Sequence, residues 1–139
     1  MPAYLIFLIL IIGMASPNQP ICDCKKATNN QTTFQGNESI RIDKKIVLKE
    51  LHGMVTDSVE SVLPDSLVEV FQIGKKQKRV MACWVDRDGH FCFKNIPKGI
   101  YEVRISRQGF KASYYEVEIN PNTKMKLQKN LKVYLMVAT

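Results

Sequence analysis

Cysteine side chains offer the clearest chemistry in this chain of 139 residues, which contains four of them, at positions 22, 24, 83 and 92. In an exported chain of this size, four cysteines favour disulfides over metal ligands. If the segments around a loop at 86–89 pair as a hairpin, Cys83 lies directly opposite Cys92, and we expect these two to bond. Cys22 and Cys24 cannot bond to each other without strain. The competing connectivities join Cys22 and Cys24 to Cys83 and Cys92.

Histidines, aspartates and serines are the remaining candidates for chemistry. His90 precedes Cys92 by two residues in one short predicted strand, and no C-x-x-C pair occurs, so no zinc site is predicted. Asp86 and Asp88 resemble the start of a calcium loop, but Pro97 stands where an EF-hand needs a glutamate. No nucleophile and base share a recognised motif. We therefore predict that the chain is not an enzyme and requires neither a metal nor a cofactor.

The elements that must position these side chains are strands. Turn signals recur at short intervals beyond residue 45, and apolar residues alternate between them, as in strands that bury one face. No long segment shows the apolar period of an amphipathic helix. The pattern predicts an all-β fold, a seven-stranded antiparallel β-sandwich with strands at about 46–56, 66–73, 79–85, 90–94, 99–107, 112–119 and 131–137.

The strand pattern also predicts the turns and the core. Gly89 is expected to supply the positive φ of a hairpin turn, and Gly99 a permissive φ two residues after Pro97. Trp84 and Phe91 are expected to share the inward face of the hairpin. The predicted core comprises Val55, Val68, Val70, Val80, Ala82, Trp84, Phe91, Phe93, Ile96, Tyr101, Val103, Ile105, Val117, Ile119, Val133 and Leu135.

The amino-terminal part of the chain differs from the rest. Residues 1–15 carry an uncharged apolar run that is shorter than the roughly 20 residues of a membrane span, and they resemble a secretory signal peptide. Residues 16–45 are predicted to be a flexible polar linker, with glycosylation sequons at Asn30 and Asn37 that matter only in a eukaryote. The domain is expected over 46–139. We predict a secreted or periplasmic/extracellular protein with no stable membrane span after leader removal.

Basic and aromatic residues are the candidates for binding. The formal net charge is +7, and Lys75 and Lys76 begin a basic run beside a predicted loop, which could attract an anion or simply solvate the loop. Nucleic acid is not a predicted partner, because aromatic residues do not interleave the basic runs. Tyr114 and Tyr115 must point to opposite faces of a strand, so one of them is expected to be exposed for stacking.

The central stretch contains a specific motif, Asp86-x-Asp88-Gly89-x-Phe91-x-Phe93-x-x-Ile96-Pro97-x-Gly99-x-Tyr101-x-Val103. This motif resembles that of carboxypeptidase regulatory-like domains, and collagen-adhesin B-type repeats are similar in outline. The resemblance spans about 46–137 and implies a non-catalytic, transthyretin-like or carbohydrate-binding-like sandwich of exported proteins. We expect a structural or protein-interaction domain whose partner is an envelope or extracellular protein, or alternatively a glycan-binding module.

Overall fold

The computed structural model describes residues 25–27, 39–74, 78–124 and 130–138. These residues form strands and no helix, so the described part contains no helix that could cross a membrane. The strands are β1 (Lys25–Lys26), β2 (Ser39–Leu48), β3 (Leu51–Thr56), β4 (Leu67–Gln72), β5 (Lys78–Trp84), β6 (His90–Phe93), β7 (Gly99–Ser106), β8 (Ala112–Ile119) and β9 (Leu131–Tyr134).

Two sheets enclose the core. One has six strands in the order β1-β5-β4-β7-β8-β2, and the other has three in the order β6-β3-β9. The all-β, sandwich-like class is therefore confirmed, but seven antiparallel strands are wrong. Pairing is mixed, because β2 runs parallel to β8 and β3 runs parallel to β9.

The predicted strand at 46–56 is two strands in different sheets. β2 ends at Leu48 and β3 begins at Leu51, with Lys49 and Glu50 exposed between them. Buried apolar residues fall at even positions in β2, at Ile46 and Leu48, and at odd positions in β3, at Leu51 and Val55, and this change of parity is the signal of a break. Strand β2 begins at Ser39, so the boundary predicted after residue 45 falls inside a strand.

Most of the predicted core is confirmed, with β5 as the exception. Val68 and Val70 are fully buried, and their register partners are Cys83 and Met81, so these two residues face the core. The register between β4 and β5 shifts next to Val80, so the residues of β5 on the two sides of this shift alternate with opposite parity between the inner and outer faces. Val80 is therefore 41% exposed, and Trp84 lies on the outer face, outside the core cluster, so the inward positions predicted for these two residues are wrong. Ala82 is buried, at 8% exposed, but it pairs with Glu69 on the outer face and is not part of the core cluster.

The loop at 86–89 is a tight turn but not a hairpin. The Asp86 carboxylate accepts hydrogen bonds from the backbone N–H groups of Asp88 and His90, each at 2.9 Å, and Gly89 has φ 78° as expected. Strand β6 pairs with β3 instead of β5, so the turn connects the two sheets. Gly99 has no positive φ, and the positive φ of the next turn belongs to Asn95.

Candidate functional site

A row of polar side chains crosses the outer face of the six-stranded sheet. The register pairs Glu69 with Arg104, Arg104 with Tyr114, and Tyr114 with Arg41, on the adjacent strands β4, β7, β8 and β2. These residues alternate with core residues along their strands, so they point away from the core. Together with Arg79 and Glu102 we call them the outer-face cluster.

Tyr114 lies at the centre of the outer-face cluster. The guanidinium carbon of Arg41 is 5.3 Å from the centroid of its ring, and that of Arg104 is 5.2 Å away. The two arginines belong to strands on opposite sides of β8, so guanidinium groups flank the ring. Such cation–π contacts contribute about 0.5–2 kcal/mol each, depending on exposure. They orient both guanidinium groups before any partner binds.

Tyr115 points the other way, as the strand alternation predicted. It is 6% exposed and belongs to the core cluster, so it cannot contact a partner. Burial raises the pKa of Tyr115 above 10.0, and a backbone hydrogen bond with Tyr134 opposes this rise. Of the two predicted binding tyrosines, only Tyr114 lies on a surface.

Glu69 is a nearly buried carboxylate beneath this surface. It is 3% exposed, and Arg79 donates a hydrogen bond to its Oε2 at 3.1 Å. Among the described residues, Glu69 Oε1 and Arg104 Nε are buried without a hydrogen-bond partner. Burial raises the pKa of Glu69 above 4.5, although the positive charges of Arg79 and Arg104 oppose the rise. The buried carboxylate therefore carries a net desolvation penalty when it is charged.

This penalty predicts a pH-dependent effect of Glu69→Gln. A raised pKa means that the folded state binds the proton more tightly than the unfolded state does. The stabilising contribution of Glu69 is then fully present below about pH 4.5 and is lost as the pH rises through the folded pKa. We expect the unfolding free energy of the wild type, minus that of the variant, to rise as the pH falls through this window in urea titrations.

Glu116 supplies the matched control for this measurement. It is an exposed carboxyl on β8, on the same face of the sheet as Glu69. The difference in unfolding free energy between the wild type and Glu116→Gln should change less with pH than the corresponding difference for Glu69→Gln. Equal pH profiles for the two variants would contradict the assigned burial of Glu69.

A second surface lies outside the three-stranded sheet. A cavity of about 340 Å³ is lined by residues of β3, β6 and β9 and of the turns beside them, including Glu60, His90, Lys132 and Tyr134. Tyr134 is 50% exposed, so its ring is open to solvent. This cavity combines an aromatic ring with charged and polar side chains, which are the group types that bind a sugar.

The two described cysteines lie in different sheets. Cys83 pairs with Val68 and Lys26 in the six-stranded sheet, whereas Cys92 pairs with His52 in the three-stranded sheet. The expected position of Cys83 directly opposite Cys92 is therefore wrong. Both cysteines are disulfide-bonded, and both line a cavity of about 470 Å³ at the edges of the two sheets. A bond between them stays a prediction.

Several predicted features lie outside the described residues. These are the signal peptide at 1–15, Cys22, Cys24, the sequons at Asn30 and Asn37, and the binding candidates Lys75 and Lys76. Within the described ranges, no group of three or more His, Cys, Asp and Glu side chains is placed to hold a metal ion.

Residues 50–132 match the carboxypeptidase regulatory-like domain, and this match covers more than half of the chain. The chain belongs to this family. The resemblance inferred from the central stretch is thus confirmed. The match begins just before β3 and ends within β9, so it includes β3, β6 and the first two residues of β9 in the smaller sheet. No curated protein matches the chain in sequence.

Two solved structures are similar to this carboxypeptidase regulatory-like domain protein. One is a 3-chlorocatechol 1,2-dioxygenase from Rhodococcus opacus 1CP, with 12% identity, a TM-score of 0.44, and coverage of 84% of this chain and 75% of that one. The other is a hydroxyquinol 1,2-dioxygenase from Pseudomonas putida DLL-E4, with 8% identity, a TM-score of 0.45, and coverage of 86% of this chain and 69% of that one.

These two similar structures are both enzymes, and they contradict the prediction that the chain is not an enzyme. That prediction is withdrawn. At such identities and TM-scores the likeness carries no argument for dioxygenase activity either. The family match supports the interpretation that the functional unit of this chain is its β-sandwich module.

Proposed function

We propose that this protein is an exported interaction module, which binds an acidic segment of an envelope or extracellular protein through the outer-face cluster. The main observation in support of this proposal is that the guanidinium groups of Arg41 and Arg104 flank the ring of Tyr114. Export is supported by the apolar leader-like segment and by the disulfide-bonded cysteines, since disulfides persist in oxidising compartments.

The exposed guanidinium group of Arg41 is what favours an anionic partner. The cluster contains three arginines and two glutamates, and the exposed Glu116 lies on the same face beside Glu102, so the local charges are close to balance. Arg41 contacts Glu102 at 3.3 Å, and its side chain is 63% exposed, whereas that of Glu102 is 13% exposed. A carboxylate of a partner therefore binds the exposed side of Arg41 beside Glu102, because leaving the shielded Glu102 carboxylate without this cation would cost free energy. A guanidinium group also offers two parallel N–H donors to a carboxylate, which adds specificity.

Pre-orientation of the arginines strengthens this assignment. A flexible arginine loses rotamer freedom when it binds, and that loss weakens affinity. In the outer-face cluster the Tyr114 ring already restricts Arg41 and Arg104. The cluster lies on an extended sheet face, and an exposed segment of another protein can reach Arg41 there because its side chain is 63% exposed.

The proposal is tested with hexaglutamate as a defined acidic probe and hexaglutamine as its neutral counterpart, by isothermal titration calorimetry at low salt. We expect the wild type to bind hexaglutamate only, and Arg41→Gln to weaken binding about tenfold, the effect of losing one charge-assisted hydrogen bond of roughly 1.4 kcal/mol. Tyr114→Leu should weaken binding as well, whereas Tyr114→Phe keeps the ring and should change affinity less than twofold, by roughly 0.4 kcal/mol.

Lys132→Gln provides the matched control, because it removes the same charge from an exposed position on β9 in the other sheet. It should leave hexaglutamate binding almost unchanged. An equal loss in Lys132→Gln and Arg41→Gln would show that only net charge matters and would overturn the assignment of the site. Absence of hexaglutamate binding in the wild type would do the same.

Glycan binding is the second candidate function, and the exposed ring of Tyr134 at its cavity favours it. Tyr114 is less suited to stacking on a sugar, because guanidinium groups already flank its ring. If this second function holds, a glycan array should show binding that Tyr134→Ala abolishes and Tyr114→Leu leaves intact. Absence of binding to both neutral and acidic glycans on the array would exclude this candidate function.

A further inference from the structure

The two sandwich cysteines are oriented unfavourably for bonding with each other. Cys83 is 2% exposed and faces the core, as its register partner Val68 does. Cys92 lies between the buried Phe91 and Phe93 on β6, so alternation places it on the outer side of the other sheet. A disulfide requires Cβ atoms about 3.5–4.5 Å apart with converging bonds. An inward-facing and an outward-facing cysteine on different sheets do not converge.

The short strand β1 brings the amino-terminal segment to the same place. Lys26 pairs with Cys83, Lys25 pairs with Trp84, and the N–H of Ala27 donates to the Ala82 carbonyl at 3.0 Å. Lys26 and Ala27 also line the cavity that both sandwich cysteines line. Cys24 immediately precedes Lys25, and consecutive Cα atoms are about 3.8 Å apart.

We infer that Cys22 and Cys24 are the bonding partners of Cys83 and Cys92. Both sandwich cysteines are disulfide-bonded, and a chain with four cysteines offers no other intramolecular partners once their mutual bond is disfavoured. Two disulfides then join the segment before β1 to both sheets. Each bond forms when two thiols lose two protons and two electrons to a disulfide oxidant of the export compartment, which is reduced to a dithiol.

This connectivity has a consequence for the sheet edge. Among the residues that the structure describes, the two residues of β1 are all that lies beyond β5 in the six-stranded sheet. An uncovered edge strand offers backbone groups to other chains and favours aggregation. Two disulfides hold β1 against β5 and so keep this part of the edge covered. Reduction is therefore expected to weaken the pairing of β1 with β5.

Non-reducing peptide mapping of the full oxidised chain tests the inference. Trypsin cleaves after Arg79, Arg87 and Lys94, so Cys83 and Cys92 fall on the separate peptides 80–87 and 88–94. We expect both to be linked to the peptide that ends at Lys25, in one species of three peptides. Additional cleavage before Asp23 should split that species into two pairs and identify each partner. A direct link between peptides 80–87 and 88–94 would overturn the inference.

Thiol titration of a second protein gives an independent result. In the double variant Cys22→Ser and Cys24→Ser, the denatured protein should show about two free thiols per chain, against none in the wild type, because the inferred connectivity leaves one thiol at each lost partner. Two thiols would support the inference. No free thiol would show that Cys83 and Cys92 bond with each other and would overturn it.

Discussion

Gly53→Ala is expected to destabilise the sandwich by more than about 4 kcal/mol, the range reached by severe backbone or packing conflicts. Gly53 lies on the central strand of the smaller sheet, between Phe91 on β6 and Leu131 on β9. A Cβ atom there would overlap the carbonyl oxygen of Leu131 and lie 2.7 Å from Cζ of Phe91. Neither neighbour can yield easily, since one is backbone and the other is 2% exposed. The unfolding midpoint in urea measures the loss.

Two other glycines serve as controls for this substitution. A Cβ at Gly74 or at Gly109 would meet no atom within 4 Å, but Gly109 has a φ of +86°. We expect Gly74→Ala to change the unfolding free energy by less than about 0.5 kcal/mol. Gly109→Ala should cost about 1–2 kcal/mol, because an L-residue is strained at positive φ. If Gly53→Ala lost no more than Gly109→Ala, the close approach of β3 and β9 would be contradicted.

Phe91→Ala is expected to cost about 3–5 kcal/mol, which is the range for truncating a buried aromatic side chain. Phe91 is 2% exposed, packs edge-on against Phe93 with ring centroids 6.3 Å apart, and covers Gly53. The loss arises from the apolar area returned to water and from the cavity that remains. It should appear as a lower urea midpoint with an unchanged slope.

Val59→Ala is the control for the core truncation. Val59 is 77% exposed, so its replacement should change stability by less than about 0.5 kcal/mol. The double variant of Gly53→Ala and Phe91→Ala should lose less than the sum of the single losses, because removal of the ring makes room for the new Cβ atom. Strict additivity would contradict the contact between these two positions.

The strand pattern and the central motif identified much of the fold from sequence. Alternation located six of the predicted strands close to their observed bounds, from β4 to β9, and the β8 prediction matches Ala112–Ile119. Asp86 and Gly89 revealed their turn because a carboxylate cap and a positive φ are local properties. Family membership followed from the same stretch. These features depend on residues that are close to each other along the chain, so they can be predicted from the sequence.

The candidate site was predicted only in part. Alternation placed Tyr114 and Tyr115 on opposite faces, and the structure shows which of them reaches the surface. Arg41, Glu69 and Arg104 were not recognised, because the contacts that join them connect strands far apart in sequence. The apolar neighbours Val68 and Val70 offered one signal, since a glutamate between two buried valines must occupy the other face of the strand.

The amino-acid sequence alone determined the all-β class, the family, the positions of most strands and the alternation within each of them, because period and turn chemistry act over a few residues. Only the tertiary structure decided which strands are neighbours, where the sheets separate after Leu48, and which face of β5 is buried. Strand pairing depends on contacts between residues far apart in sequence. One extra residue in β5 near Val80 shifts the register with β4, so that Cys83 faces the core and Trp84 does not.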